Sequence, residues 1–135
     1  MRSPAEKSNL TIGMNEFRIE LTSKHAAWDK YNVRMMCEMQ DAAGNRTGFA
    51  STCDKTNGAS VLEAGPCVRV RLFVYVIPES LPLDRDVDRQ PDFAAVLRAG
   101  CDGRVISEER IGINPWGGLS LERLFDSAGR ISIMK

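Results

Sequence analysis

The residues best suited to chemistry by type and spacing are three aspartates in the segment 82–89, which reads PLDRDVDR. Asp84, Asp86 and Asp88 alternate along it, and carboxylates spaced this way can converge on a hard cation such as Ca²⁺, which takes six to eight oxygen ligands. Two arginines are interleaved with the aspartates and can neutralise them as local ion pairs. The glycine of a helix-loop-helix calcium loop is also absent from its expected place. The pattern therefore favours a solvated charged loop, with a Ca²⁺ site as the alternative.

The single histidine, His25, lies in a polar stretch shortly before Trp28. One histidine excludes a multi-histidine metal site, although one is enough to serve as the base of a serine or cysteine nucleophile. No serine or cysteine of the chain lies in a nucleophile elbow or another strained turn motif. We therefore expect a loop histidine without a catalytic role, in a chain that is not an enzyme.

The four cysteines are separated by 16, 14 and 34 residues and include no C-x-x-C pair: Cys37, Cys53, Cys67 and Cys101. Structural zinc sites usually show close paired spacings, so we expect no such site. An even count permits two disulfides in any of three connectivities. Because the given chain shows no secretory signal, we expect reduced thiols and a cytoplasmic location.

Two aromatic features point to recognition rather than catalysis. Phe73 and Tyr75 share one face of a predicted strand with Arg69 and Arg71, where a solvated sheet would carry polar side chains. Aromatic residues beside arginine are typical anchors of protein interfaces. Trp116 follows Asn-Pro and precedes Gly-Gly, and a tryptophan on such a loop can stack on a sugar ring or anchor a protein. The structural alternatives are a loop that covers the sheet face and a tryptophan that plugs one end of the fold.

Strands and turns must position these residues. Turn-forming clusters occur at 41–45, 57–58, 102–103 and 126–129, where glycine, asparagine and aspartate tolerate positive φ. Apolar and polar residues alternate between them, most clearly over Cys67–Ile77. A period of two is typical of half-buried strands in an antiparallel sheet.

The segment 93–99, FAAVLRA, is ambiguous because its residues also favour a helix. The Asp102-Gly103 turn lies where a hairpin would need one, so we predict a strand that pairs with 104–111. A short helix near 92–99 is the alternative. The pattern predicts an all-β fold, an antiparallel two-sheet β-sandwich of about seven or eight strands. We expect residues 14–135 to form this single domain and the polar residues 1–13 to form a flexible N-terminal tail.

Composition narrows the classes of partner that the chain is expected to bind. Lys+Arg and Asp+Glu number 18 each, so the formal net charge is zero and the basic excess of a nucleic-acid binder is missing. No stretch of 18 apolar residues occurs, so we predict no transmembrane segment. Phosphate-binding glycine loops and dinucleotide fingerprints are absent as well.

The sequence therefore favours a non-catalytic protein-interaction domain without a cofactor. It would bind a protein partner, or a second copy of itself, through the face that carries Phe73 and Tyr75 or along a sheet edge. The alternative is a Ca²⁺-assisted binder of carbohydrate or lipid headgroups, in which the three aspartates and Trp116 lie at the same end of the sandwich.

Overall fold

The computed structural model describes residues 14–79, 93–114 and 119–131. These ranges contain nine strands and one short 3-10 helix, in the order β1 (Asn15–Thr22), 3-10 helix (Ala26–Lys30), β2 (Tyr31–Gln40), β3 (Arg46–Thr52), β4 (Ala59–Cys67), β5 (Arg69–Pro78), β6 (Phe93–Cys101), β7 (Arg104–Ile113), β8 (Leu119–Asp126) and β9 (Gly129–Ile131). The predicted all-β class is confirmed, with nine strands where seven or eight were expected. The predicted tail, residues 1–13, lies outside the described residues.

The strands form two antiparallel sheets. One has four strands in the order β4-β1-β6-β7, and the other has five in the order β3-β2-β5-β8-β9. A single cluster of buried side chains from both sheets fills the space between them. The predicted two-sheet sandwich is therefore confirmed.

Strand β5 shows why the sequence folds this way. Every second residue from Val70 to Val76 is fully buried between the sheets, while Arg71, Phe73 and Tyr75 point to the opposite face. Successive side chains of a strand point to opposite faces, so a period-two pattern sorts them into core and surface. Because β2 and β8 pair with β5 along both of its edges, β5 is held in the middle of its sheet.

Strand β6 decides the ambiguous segment, and the helical alternative near 92–99 is wrong. Phe93, Ala95, Leu97 and Ala99 are buried on one face of a strand, which pairs with β1 on one side and β7 on the other. The intrinsic preference of this segment for a helix is weak compared with the burial and hydrogen bonding that two flanking strands provide.

The turn between β6 and β7 also ties this hairpin to β1. Asp102 and Gly103 both have positive φ, 51° and 82°, as a tight hairpin turn requires. The Asp102 carboxylate accepts a hydrogen bond from the backbone N–H of Glu16 at 2.9 Å, and its own N–H donates to the Glu16 carbonyl at 2.8 Å. The residues that form this turn therefore also fix how the β6–β7 hairpin is placed against β1.

Trp28, on the 3-10 helix, is one of the largest fully buried side chains. Its indole N–H donates to the carbonyl of Gly58 at 2.9 Å, so the one polar atom of the ring is satisfied. Lys55 lies over the ring, 4.5 Å from its centre, and donates to the carbonyls of Trp28 and Tyr31.

Within the described ranges, no helix is both long and apolar enough to cross a bilayer.

Candidate functional site

The solvent side of the five-stranded sheet carries a set of apolar side chains, which we call the sheet face: Met36, Phe49, Phe73, Tyr75, Ile77 and Leu124. Strand register brings them together, since Met36 lies opposite Phe73 in the β2–β5 pair. Phe49 and Ile77 are 53% and 56% exposed, and the other four are half-buried. Aromatic and aliphatic groups thus extend across the sheet from its edge strand β3 to β8.

The charged groups beside these side chains are not equally free. Arg71 donates to the carboxylate of Glu122 on β8, and its guanidinium lies 5.7 Å from the centre of the Phe73 ring. The Glu38 carboxylate accepts a hydrogen bond from the Gln40 side chain at 3.0 Å. Glu122 thus balances the charge of Arg71, whereas the Gln40 amide is neutral and leaves the charge of Glu38 without an ion pair among the described residues.

Arg34 is different. It lies opposite Tyr75 in the β2–β5 pair, it is exposed, and it forms no ion pair with any described residue. Arg34 and Glu38 are therefore the two charges of the sheet face that are not balanced by an ion pair among the described residues.

Of the predicted binding residues, the structure brings Arg71, Phe73 and Tyr75 together on the sheet face. Arg69 lies at the start of β5, where its guanidinium donates to the carbonyl of Ala42 at 3.0 Å. Its Nε is buried without a hydrogen-bond partner among the described residues. Arg69 thus supports the turn between β2 and β3, at the end of the sheet away from Tyr75.

The other predicted site residues lie outside the described ranges: Asp84, Asp86, Asp88 and Trp116. The Ca²⁺ site and the stacking tryptophan therefore stay predictions. Among the residues that are described, no group of three or more His, Cys, Asp or Glu is placed to hold a metal ion.

A groove adjoins the sheet face along β8. It has a volume of about 780 Å³ and is lined by Phe73, Tyr75, Ser120 and Glu122 of the five-stranded sheet and by Ile111 and Gly112 of β7. Within the described residues β9 pairs only with Leu124–Asp126, so the first part of β8 borders this groove. The groove gives the sheet face a shallow concave margin along β8.

The outer face of the four-stranded sheet has a different character. Arg98 on β6 forms ion pairs with Glu108 on one neighbouring strand and Glu20 on the other, at 2.5 and 3.7 Å. A depression of about 610 Å³ lies over Gly100 and is bordered by such paired charges. The apolar residues of this face are aliphatic: Val105 is 58% exposed, and Val61 and Val96 are half-buried.

His25 is exposed at one end of the sandwich. Its ring stacks on Phe93 with centres 4.5 Å apart and planes 19° apart, and Phe93 also packs against Trp28 and Tyr31. The histidine therefore extends an aromatic cluster that lines the end of the core.

All four cysteines are free thiols, and three of them are buried. Burial raises the pKa of Cys37 to about 12 and is the main reason that the pKa of Cys67 rises to about 11. Burial also raises the pKa of Cys101, with Asp102 adding to the effect. Since the thiolate is the reactive form, these three groups are poor nucleophiles, and Cys53 is the exposed thiol.

Sequence reasoning missed five members of the site: Arg34, Met36, Phe49, Ile77 and Leu124. Arg34 and Met36 follow the outward parity of β2, so their positions were readable once the inward residues were assigned. Phe49 lies between Gly48 and Ala50, whose small side chains give β3 almost no apolar alternation. No pattern in the sequence alone would have placed that ring beside the β5 aromatics.

No protein-family model matches the chain, and no curated protein matches it. Among solved structures, the chain is similar to a DUF4425 family protein from Bacteroides ovatus, with 10% identity and a TM-score of 0.44 over 83% of this chain and 93% of that one. It is also similar to a domain of unknown function, DUF4425, from Bacteroides vulgatus, with 12% identity and a TM-score of 0.49 over 84% and 93%. At this level the likeness says nothing about function, and the two-sheet fold stands on the strand pairing of the chain itself.

Proposed function

We propose that this chain is a non-catalytic protein-interaction domain that binds its partner through the sheet face. The observation that supports this is the difference between the two outer faces. One face carries paired charges, and the other exposes Phe49 and Ile77 beside half-buried aromatic rings. The solvated side of an antiparallel sheet normally carries polar residues, and an apolar patch with aromatic residues and arginine is the usual composition of an interface centre.

The central strand of the sheet face is hydrogen-bonded along both edges, which favours binding. Phe73 and Tyr75 stand on a central strand whose other side is fully buried and whose two edges are hydrogen-bonded. A partner would therefore meet side chains that are already held in place, so little conformational entropy is lost at this strand on association.

Charge indicates what the partner must offer. Arg71 is engaged by Glu122, whereas Arg34 has no ionic partner among the described residues. The matching surface is an apolar patch that covers Phe73 and Tyr75, with a carboxylate placed to reach Arg34. Such an arrangement requires no cofactor and no catalytic group.

The test is site-specific photo-crosslinking with the full chain in its own cells. A benzophenone amino acid replaces Phe49 on the sheet face or, as a matched control of similar exposure, Val105 on the other outer face. We expect a covalent adduct with a distinct protein from position 49 and none from position 105. Arg34→Glu should reduce the adduct several-fold, because the carboxylate of the partner would then meet a like charge.

The purified partner identified in this way must then bind the chain directly, and the affinity must fall for Phe73→Ala as well as for Arg34→Glu. Equal adduct yields from positions 49 and 105, or a partner whose affinity is unchanged by both substitutions, would contradict the proposal.

A further inference from the structure

The two unbalanced charges of the sheet face lie symmetrically about one residue of β2. Arg34 and Glu38 are placed two residues before and two residues after Met36, and all three point to the outer face. From Tyr31 to Gln40 the pairing of β2 with β5 has no register shift, so the spacing is that of a regular strand. The two opposite charges are therefore about 13 Å apart along β2, with Met36 midway between them.

Strand β5 has a similar pattern beside β2. Phe73 lies opposite Met36, and Arg71 and Tyr75 lie two residues to either side of Phe73 on the same face. A guanidinium is attracted to the face of an aromatic ring, as Arg71 is to the ring of Phe73 at 5.7 Å. Both strands thus carry two groups that attract each other at equal distances from the row that contains Met36 and Phe73.

We propose that a second copy of the chain covers the sheet face and that this dimer regulates access of the partner protein. The two sheets face each other with their strands antiparallel and aligned to within about 30°. The two-fold axis lies between them, along the row of Met36 and Phe73. The inference rests on the proposed function, since it concerns the regulation of the same surface: the partner must displace the second copy in order to bind.

This symmetry brings unlike groups into contact. Each strand lies over its own copy, and a residue before the axis faces the residue that follows the axis at the same distance. Arg34 of one copy therefore faces Glu38 of the other, and Arg71 faces Tyr75, and each contact occurs twice. Parallel strands would instead place the two Arg34 side chains together, and like charges oppose association. Charge complementarity thus favours a second copy in the antiparallel orientation as the occupant.

The remaining groups of the row suit such a contact. Met36 and Phe73 meet their own copies at the axis and form the apolar centre that an interface requires. Glu122 lies on the same row, but Arg71 engages its carboxylate and its side chain is only 19% exposed, so it opposes the approach little.

The size of the face sets the expected strength of the dimer. The strands β3, β2, β5 and β8 together span about 20 Å by about 30 Å, so the two copies would bury about 1,200 Å² in total. This is the lower end of the range for specific interfaces. We therefore expect a dimer that dissociates on dilution, which a partner can displace.

The first experiment measures the mass of the full chain by light scattering and sedimentation over a concentration series from micromolar to millimolar. We expect the mass to rise towards twice that of the monomer. Arg34→Glu and Glu38→Arg should each weaken dimerisation by about tenfold or more, because like charges then face each other at two places. The double variant should restore the dimer, because each pair is rebuilt with its charges exchanged. The matched control, Arg18→Glu, reverses an exposed charge on the other outer face and should dimerise like the unmodified chain.

A chemical crosslink tests the orientation. In a Cys53→Ser background the three remaining native thiols are buried, so an introduced cysteine is the reactive one. Met36→Cys lies at the axis, and a short bis-maleimide should join two copies through it. Asn32→Cys on the same strand and face should not crosslink to itself, because the antiparallel arrangement separates the two copies of position 32 by about 26 Å along the strands.

A full chain that stays at monomer mass at every concentration would overturn the inference, while a photo-adduct from position 49 would still support the proposed function. A dimer without any photo-adduct would contradict the proposed function instead. Equal crosslinking through positions 32 and 36, or a dimer that both single charge reversals leave intact, would overturn the proposed arrangement.

The regulatory part is tested by adding the purified partner to the dimer. We expect a complex that contains one copy of each chain, and a partner that binds the intact dimer would overturn the regulation. Circular dichroism of each variant distinguishes a lost dimer from a lost fold.

Discussion

Replacing Glu109 with glutamine should weaken a contact that ties the two sheets together at one edge of the sandwich. Glu109 lies on β7 of the four-stranded sheet, and its partners lie on β8 and β9 of the five-stranded sheet. Its carboxylate accepts hydrogen bonds from two nitrogens of Arg123, at 2.6 and 2.9 Å, and from Arg130 at 3.2 Å. One carboxylate therefore joins three strands of two sheets.

The expected loss of stability follows from geometry and exposure. Hydrogen bonds to charged groups contribute about 1.5–3 kcal/mol, whereas exposed ion pairs contribute less than about 1 kcal/mol. The side chains of Glu109 and Arg123 are each 24% exposed, so solvent screens the pair in part. We expect Glu109→Gln to lower the free energy of unfolding by about 1.5 kcal/mol at neutral pH, and the melting temperature by about 5 °C.

The substitution should also change the response to acid. Hydrogen bonds from Arg123, together with the charges of Arg123 and Arg130, hold the pKa of Glu109 below its ordinary value of 4.5. The folded state therefore binds fewer protons than the unfolded state between the two pKa values. The stabilisation is complete above pH 4.5 and is lost as the pH falls through the lower folded pKa. Glu109→Gln should accordingly be less sensitive to acid than the unmodified chain.

Urea unfolding followed by circular dichroism, at neutral pH and in a series below pH 5, measures both effects. Glu63→Gln is the matched control, because Glu63 pairs with Arg18 where the two side chains are 73% and 57% exposed. It should change the free energy of unfolding by less than about 0.5 kcal/mol. If Glu109→Gln behaves like this control, or keeps the acid sensitivity of the unmodified chain, the carboxylate does not tie the sheets together as described.

Three further predictions concern the core and its boundary. Leu72→Ala should lower the free energy of unfolding by about 2–5 kcal/mol in chemical denaturation, because Leu72 is fully buried. Phe73→Ala should lower it by clearly less, because Phe73 faces outward. Equal losses would refute the assigned faces. Iodoacetamide should modify Cys53 alone in the folded chain, as counted by mass spectrometry, and rapid labelling of Cys37 would contradict its burial. Trp28→Phe should lower stability by about 1–3 kcal/mol in thermal melts, because the Gly58 carbonyl loses its indole donor; an unchanged melting temperature would refute that bond.

Much of the fold could be predicted from local pattern. The alternation in β5 and the turn residues at 102–103 fix which side chains point inward and where the chain reverses, and the structure confirms both. These features depend on the period of a strand and on which residues tolerate positive φ, so they need no knowledge of neighbouring strands. Segment 93–99 was ambiguous from local pattern alone, because its composition suits a helix and only pairing with its two flanking strands makes it a strand.

The sequence by itself also determined that Phe73 and Tyr75 share the outward face of a strand with Arg71. Only the tertiary structure decided which other side chains lie beside these residues on that face. Phe49 reaches it through the β2–β3 pairing, and the acid that engages Arg71 comes from β8, 51 residues further along the chain. Sequence parity assigns a side chain to a face, but the neighbours on that face are set by register between strands that are distant in sequence. Register is fixed by the burial of the whole core at once, because a slip of one residue would turn every inward side chain outward.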